Sequence, residues 1–235
     1  NKSIHQHFGA GDFEKEGLVL LSELFQKHDT VLMVGGSGLY AQALIEGLDV
    51  FPTVDKTSIN IVSNIYQTEG LEGLQKALAE KDPDYYQRVD PKNPRRLIRA
   101  LQIYESAQKP YSSFLGQSAA VRHFSTQTLL LSLERSKLYN RINQRVEQMV
   151  AAGLVEEARR LYPFRALPAL QTVGYSEWFD HFEGKLTQEE TIAEIQKNTR
   201  RYAKRQMTWF QKRESTVIET DKQVSLIPQL LKSLS

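Results

Sequence analysis

Apolar positions recur at helical spacing near the start of the chain. Leu18, Leu20, Leu21, Leu24 and Phe25 give Asp12–Lys27 one apolar face, which predicts an amphipathic helix. Val31 to Val34 then form an unbroken apolar run closed by Gly35 and Gly36, which predicts a strand buried on both faces. Gly38–Asp49 turns helical again. Helix, strand, glycine turn and helix in that order are the grammar of a parallel α/β sheet. Phe51–Asp55 breaks the pattern, and as far as Gly116 only helical periods follow: Ser58–Tyr66, Leu71–Glu80 and Pro94–Ser106, with a short turn in Asp82–Val89. Thr128–Arg135 predicts a second buried strand, and Ser136–Ala151 a long helix. Gly153 breaks that helix, and another runs to Tyr162. Thr187–Arg213 is the longest helical pattern, opened by Thr187 with Glu190 three residues on, a capping box. Thr216–Thr220 predicts a last strand and Gln223–Leu234 a closing helix. The expected organisation is an α/β core from residues 1–50 and 119–235, interrupted by an all-helical insertion domain at 51–118.

Composition narrows the functions open to such a core. The 235 residues are 40% hydrophobic with a net charge of +2, so a nucleic-acid site must come from local clustering of charge. The absence of cysteine excludes disulfides, zinc knuckles, iron–sulfur clusters and thiol catalysis, and fits a cytoplasmic location. No apolar run is long enough to span a membrane, and none is expected as a partner. The five histidines have no metal-ligand spacing, so no protein metal site is predicted.

The clustering is found on the last long helix. At 100° per residue, Ile192, Ile195, Tyr202, Ala203, Met207, Trp209 and Phe210 share one arc. Lys197, Arg200, Arg201, Lys204, Arg205, Thr208, Gln211 and Lys212 share the other, with no carboxylate from Lys197 through Arg213. Like charges one turn apart oppose one another. Charge alone leaves two readings open, a phosphate-rich partner and a solvated basic face. A second cluster opens a helix in Asp90–Glu105: Asn93 predicts an N-cap and Pro94 the first helical position, which puts Arg95 and Arg96 in the first turn. Cations there oppose the helix dipole, and with the free amides they make an anion site. The Val34–Tyr40 turn lets backbone approach a ligand closely, but it matches neither a Walker A loop nor a dinucleotide fingerprint. Ser37 either caps the next helix or offers its hydroxyl. Arg141 and Arg145 lie one turn apart, as lid arginines over a phosphate do and as an ordinary exposed pair does. Val173-Gly174-Tyr175 contains no nucleophile–base pair and reads on physics as a connecting loop.

Four strings in order, "VGGSGLYAQALIEGL", "DPKNPRRLIRALQIYESAQKPYS", "LQTVGYSEWFDHFEGKLTQEE" and "TRRYAKRQMTWF", resemble the motifs of tRNA dimethylallyltransferases, and the resemblance runs from Phe8 to the end. It implies a P-loop NTPase-like α/β core with a helical, tRNA-binding insertion. It also implies transfer of a dimethylallyl group from dimethylallyl diphosphate to the exocyclic amine of the adenosine 3′ of the anticodon. The target base is flipped out to react, and Mg²⁺ accompanies the diphosphate. The expected partners are a tRNA anticodon stem-loop and dimethylallyl diphosphate, met by a monomer. By motif, the tRNA contacts expected are Ser37; Arg95, Arg96, Leu97, Ile98 and Arg99; and Gln171, Thr172, Val173, Gly174, Tyr175 and Ser176. Lys204, Arg205, Gln206, Met207, Thr208, Trp209, Phe210 and Gln211 complete the set, while Arg141 and Arg145 match an arginine pair near the diphosphate.

Departures qualify the match. Ser37 stands where the family has Thr, and Ser176 where it has Arg or Lys. The start of the insertion, "DKTSINIV", lacks an arginine often found there. The family's P-loop and its general-base aspartate have no counterpart, so the chain alone is expected to be inactive, with both lying upstream of Asn1. A non-catalytic tRNA-binding remnant and a fragment of a small-molecule P-loop kinase are the alternative readings. The kinase reading leaves the basic helix and the Arg95–Arg99 cluster without a purpose.

Overall fold

The computed structural model describes residues 2–116 and 121–220; the helix expected at Gln223–Leu234 lies outside them. The chain separates into two compact units, one of Asn1–Leu44 with His123–Ser235 and one of Ile45–Arg122. The first unit opens with α1 (Ala10–Phe25), where the Asp12 carboxylate accepts the Gly9 N–H at 2.8 Å and satisfies a free helix-end donor. α2 (Gly38–Ile45) packs on it through Phe13 and Tyr40, stacked at 5.0 Å. The expectation of a doubly buried strand at Val31–Val34 fails. No strand forms there, and Leu32, Met33 and Val34 are 76%, 44% and 85% exposed. A strand buried on both faces needs hydrogen-bonded neighbours, and among the described residues none pairs with this run.

The second unit is helical. α3 (Lys56–Lys81) is assigned as one helix but breaks at Gly70, whose φ of 64° and ψ of −149° are not helical. Asp55 caps it, accepting the Ser58 N–H at 2.7 Å, and that backbone hydrogen bond holds the carboxyl below its ordinary range. A depressed carboxyl stabilises the fold at neutral pH, and the contribution is lost as pH falls through the lowered value. α4 (Pro83–Tyr86) is a single turn, and α5 (Pro94–Ala107) starts with Pro94 at N1 and Asn93 accepting the Arg96 N–H at 3.4 Å. Val62, Leu74, Leu78, Val89, Leu97, Ala100 and Leu101 form the core between α3 and α5. This unit runs from Ile45 to Arg122, and Phe51, on the lead-in from α2, stacks on Tyr111 at 4.7 Å within it.

One buried carboxylate ties the helical unit together. Asp82 is 1% exposed, and it accepts hydrogen bonds from the Tyr85 N–H at 3.0 Å, the Ser112 N–H at 2.7 Å and the Ser112 hydroxyl at 2.7 Å. It thus caps α4 and anchors a segment 30 positions away. Asp82→Asn keeps the volume but turns one acceptor towards donors. The unit should lose about 1–2 kcal/mol, read as a lower melting temperature; an unchanged melt would show that water replaces the lost acceptor.

Back in the first unit, β1 (Leu129–Ser132) is followed by α6 (Arg135–Ala151), whose end turns at Gly153, φ 100°, into α7 (Leu154–Leu161). α8 (Ser176–Phe182) and α9 (Gln188–Phe210) follow, and β2 (Thr216–Glu219) pairs parallel with β1, Leu130 opposite Val217. The strand expected at Thr128–Arg135 is buried on one side only: Leu130 is 9% exposed while Leu131 is 57% exposed, the alternation of a sheet covered on one face. Val146, Leu154, Ala158, Leu170, Trp178, Phe179 and Ile195 make the core of the helices, with Trp178 fully buried at its centre.

Candidate nucleic-acid interface

α9 forms where the capping box places it. Thr187 Oγ1 accepts the Glu190 N–H at 3.2 Å, and Glu190 Oε2 accepts the Thr187 N–H at 2.8 Å. Thr191 and Ile195 bury its first half. The basic arc then divides in a way the sequence does not show. Lys197 pairs with Glu194 at 2.6 Å. Arg200 turns inward, donating to Asn143 Oδ1 on α6 at 2.6 Å, with its guanidinium 5.9 Å from the Tyr139 ring. Arg200 therefore joins α6 to α9 instead of facing solvent. The exposed stripe is Arg201, Lys204, Arg205 and Thr208, at the i, i+3, i+4, i+7 spacing of a single helix face. Among the described residues neither Lys204 nor Arg205 has a carboxylate partner; Arg205 lies over the Tyr202 ring at 5.6 Å. Gln206, Met207, Trp209 and Phe210 are half-buried, and Gln211 is exposed.

The far half of α9 lies against the glycine turn. Gln206 Nε2 donates to the Gly36 carbonyl at 2.6 Å. A Cβ added at Gly38 would stand 2.6 Å from Trp209 Cε2 and Cε3, closer than side chains pack. The glycines thus admit the helix, and Ser37 is left exposed between them, its carbonyl accepting the Ala41 N–H at 3.0 Å to start α2.

Gln171–Ser176 folds back on itself. The Thr172 carbonyl accepts the Tyr175 N–H at 3.2 Å, the Ser176 N–H at 3.1 Å and the Ser176 hydroxyl at 3.1 Å. Gln171 Nε2 donates to the Arg165 carbonyl at 2.8 Å. Tyr175 donates its hydroxyl to Glu157 at 2.9 Å, and burial followed by that hydrogen bond raises its pKa. Gln171 and Thr172 are exposed and Val173 is half-buried. Gly174, φ 100°, is buried, and its N–H goes to Glu177 Oε2 at 2.8 Å, so this amide is not free for a phosphate. Glu177 Oε1 accepts Asn198 Nδ2 of α9 at 2.8 Å. Sequence reasoning passes over both Glu177 and Asn198. The available signal is a poor helix former, Asn198, in the middle of a long helix.

Other expected residues lie elsewhere. Arg141 and Arg145 are exposed on α6, and each stands about 160° around the helix from Asn143, the residue that meets α9. The structure does not bring them to the basic stripe. In the helical unit Arg95, Arg96 and Arg99 are exposed, with Arg99 over the Phe51 ring at 6.0 Å. Leu97 is corrected: it is fully buried in the α3–α5 core and has no surface to offer, and Ile98 packs half-buried against that core. Among the described residues no three His, Asp or Glu side chains are grouped so that they could hold a metal ion by themselves. No helix among them is long and apolar enough to cross a membrane.

The comparisons with known proteins agree on one family. The IPP transferase profile matches residues 1–213. The tRNA dimethylallyltransferase of Christiangramia forsetii is 50% identical over 210 residues, 89% of this chain and 70% of that protein. That of Flavobacterium johnsoniae is 46% identical over 222 residues, 92% of this chain and 72% of that protein. The crystal structure of the tRNA isopentenylpyrophosphate transferase from Bacillus halodurans superposes with a TM-score of 0.63 at 31% identity, covering 98% of this chain and 73% of that one. A eukaryotic dimethylallyltransferase acting on tRNA shares the fold, with a TM-score of 0.74 at 22% identity, over 100% of this chain and 62% of its own. The two-stranded parallel sheet, the helical second unit and these matches together place the chain in the IPP transferase family.

Proposed function

We infer that this chain is a tRNA dimethylallyltransferase, which moves the dimethylallyl group of dimethylallyl diphosphate onto the exocyclic amine of the adenosine 3′ of the tRNA anticodon. The amine nitrogen attacks the allylic carbon, the carbon–oxygen bond to diphosphate breaks, and the amine gives up a proton. The observation that carries this reading is the arrangement along α9. The helix holds the Gln171–Ser176 loop at Asn198 and the Gly36–Gly38 turn at Gln206 and Trp209, with the exposed Lys204 and Arg205 between. Gln206 lies eight helical steps beyond Asn198, about 12 Å along the axis. A cationic stripe flanked by two shaped turns suits a folded RNA backbone with one base extruded beside it.

In this reading Ser37, Gln171, Thr172, Arg201, Lys204, Arg205 and Thr208 meet the anticodon arm. The Arg95–Arg96–Arg99 face of the helical unit supplies further phosphate contacts, and Arg141 with Arg145 neutralises the diphosphate. Guanidinium groups suit both tasks because they give two parallel hydrogen bonds to phosphate oxygens.

The test is an incubation of the full-length protein with dimethylallyl diphosphate and an anticodon stem-loop, followed by mass spectrometry of the RNA. Addition of one dimethylallyl group, lost when the acceptor adenosine is replaced, is the expected result. Tight RNA binding with no transfer would leave a tRNA-binding protein and sink the transferase reading.

A further inference from the structure

Glu177 is a charged-type side chain that is 7% exposed, and neither of its oxygens is spare. Oε2 takes the Gly174 N–H at 2.8 Å and Oε1 takes Asn198 Nδ2 at 2.8 Å. Burying a carboxyl group is costly unless such bonds compensate. The two partners belong to different segments: Gly174 lies in the Gln171–Ser176 loop, and Asn198 lies 21 positions beyond Glu177 on α9. Asn198 in turn uses its Oδ1 to accept Arg201 Nη1 at 3.4 Å, at the head of the exposed basic stripe. One continuous path of hydrogen bonds therefore runs from the loop backbone to a stripe arginine.

We propose that Glu177 is a positioning residue for RNA recognition: it locks the Gln171–Ser176 loop to α9, so that loop and basic stripe meet RNA as one preformed surface. The inference rests on the RNA-facing reading of α9 and of the loop. Glu177 touches no RNA itself; buried behind both segments, it acts through them. Gly174, at a φ of 100°, takes a left-handed conformation that glycine reaches without strain, and Glu177 selects it from the many open to a glycine by accepting its N–H. Tyr175, with its hydroxyl on Glu157 at 2.9 Å, holds the loop's other side, and Glu177 is hydrogen-bonded both to the loop and to the helix that bears the cations. A surface ordered in advance binds without the entropy loss of ordering it on contact.

The experiment measures the affinity of the full chain for an anticodon stem-loop RNA across a salt series, in parent, Glu177→Gln, Asn198→Ala and Arg205→Ala forms. Glutamine keeps the volume but turns an acceptor into a donor against one of its two partners. Glu177→Gln should weaken binding about tenfold while leaving the salt slope unchanged, since no phosphate contact is removed. The Gly174 amide should exchange with solvent faster in the same variant. Arg205→Ala should lower the slope by about one. If Glu177→Gln does not fold, Asn198→Ala, which removes only a half-buried amide, carries the same test with the same expected signature. Parent-like binding by the Glu177 and Asn198 variants beside a weakened Arg205→Ala overturns the positioning role alone. A salt slope that falls in Glu177→Gln as it does in Arg205→Ala also overturns it. Parent-like binding by Arg205→Ala removes the RNA face on which the inference rests.

Discussion

Replacing Arg201 and Arg205 together by alanine should weaken binding of an anticodon stem-loop by roughly 10- to 100-fold near 0.1 M salt, and lower the slope of log affinity against log salt by about two. The two lie one turn apart on the exposed face of α9, in a stretch without a carboxylate from Lys197 through Arg213. Their removal costs the fold little, because like charges one turn apart repel. The double variant should therefore melt at or slightly above the parent temperature while binding RNA poorly. That opposite movement of stability and affinity is what a solvated basic face would not give. Such a face would show the gain in stability with no change in affinity, and that result would end the RNA assignment. Arg200→Ala is the internal contrast. Arg200 is committed to Asn143 at 2.6 Å, so its loss should loosen the α6–α9 contact and lower stability.

Gly38→Ala should be the most damaging single methyl group in the first unit. The added carbon would stand 2.6 Å from two Trp209 ring atoms. The indole cannot swing away freely: Phe210 lies edge-on to it at 4.6 Å and the Arg213 guanidinium covers it at 3.6 Å. The start of α2 or the end of α9 must move instead, at about 3 kcal/mol. The expected readouts are a depressed melting temperature and, as Gln206 leaves the Gly36 carbonyl, loss of RNA affinity. Trp209→Leu in the same chain should recover part of the stability, so the two changes would be non-additive. Parent-like stability of Gly38→Ala would show that the ring and turn are not in contact in solution.

What could be read from the sequence was local. The Thr187–Glu190 box, the Asn93–Pro94 start and the Gly153 break sit within one turn of the backbone groups they serve, so spacing is enough to find them. The parallel α/β character is also legible, although the Val31–Val34 run that suggests it forms no strand and the parallel pair is β1 with β2. Val31–Val34 differs because a strand is defined by its neighbours, and without pairing Leu32, Met33 and Val34 stay exposed. A motif string carries no faces: the helix turns Arg96 outward and Leu97 into the core. Arg200 and Arg201 are adjacent in sequence, yet one is bonded to α6 and the other belongs to the exposed stripe. Glu177 was missed because its partners, Gly174 and Asn198, are joined only once α8 and α9 have packed.

The double attachment of α9 fixes how its sequence can vary in length. Inserting or deleting one residue between Asn198 and Gln206 would rotate everything beyond it by about 100° and shift it by about 1.5 Å. Asn198 would keep Glu177 only if Gln206 and Trp209 left the glycine turn, or the reverse. Substitutions along this stretch can be absorbed one side chain at a time, but a change of register cannot. Length variation among relatives should therefore fall outside the stretch from Asn198 to Gln206.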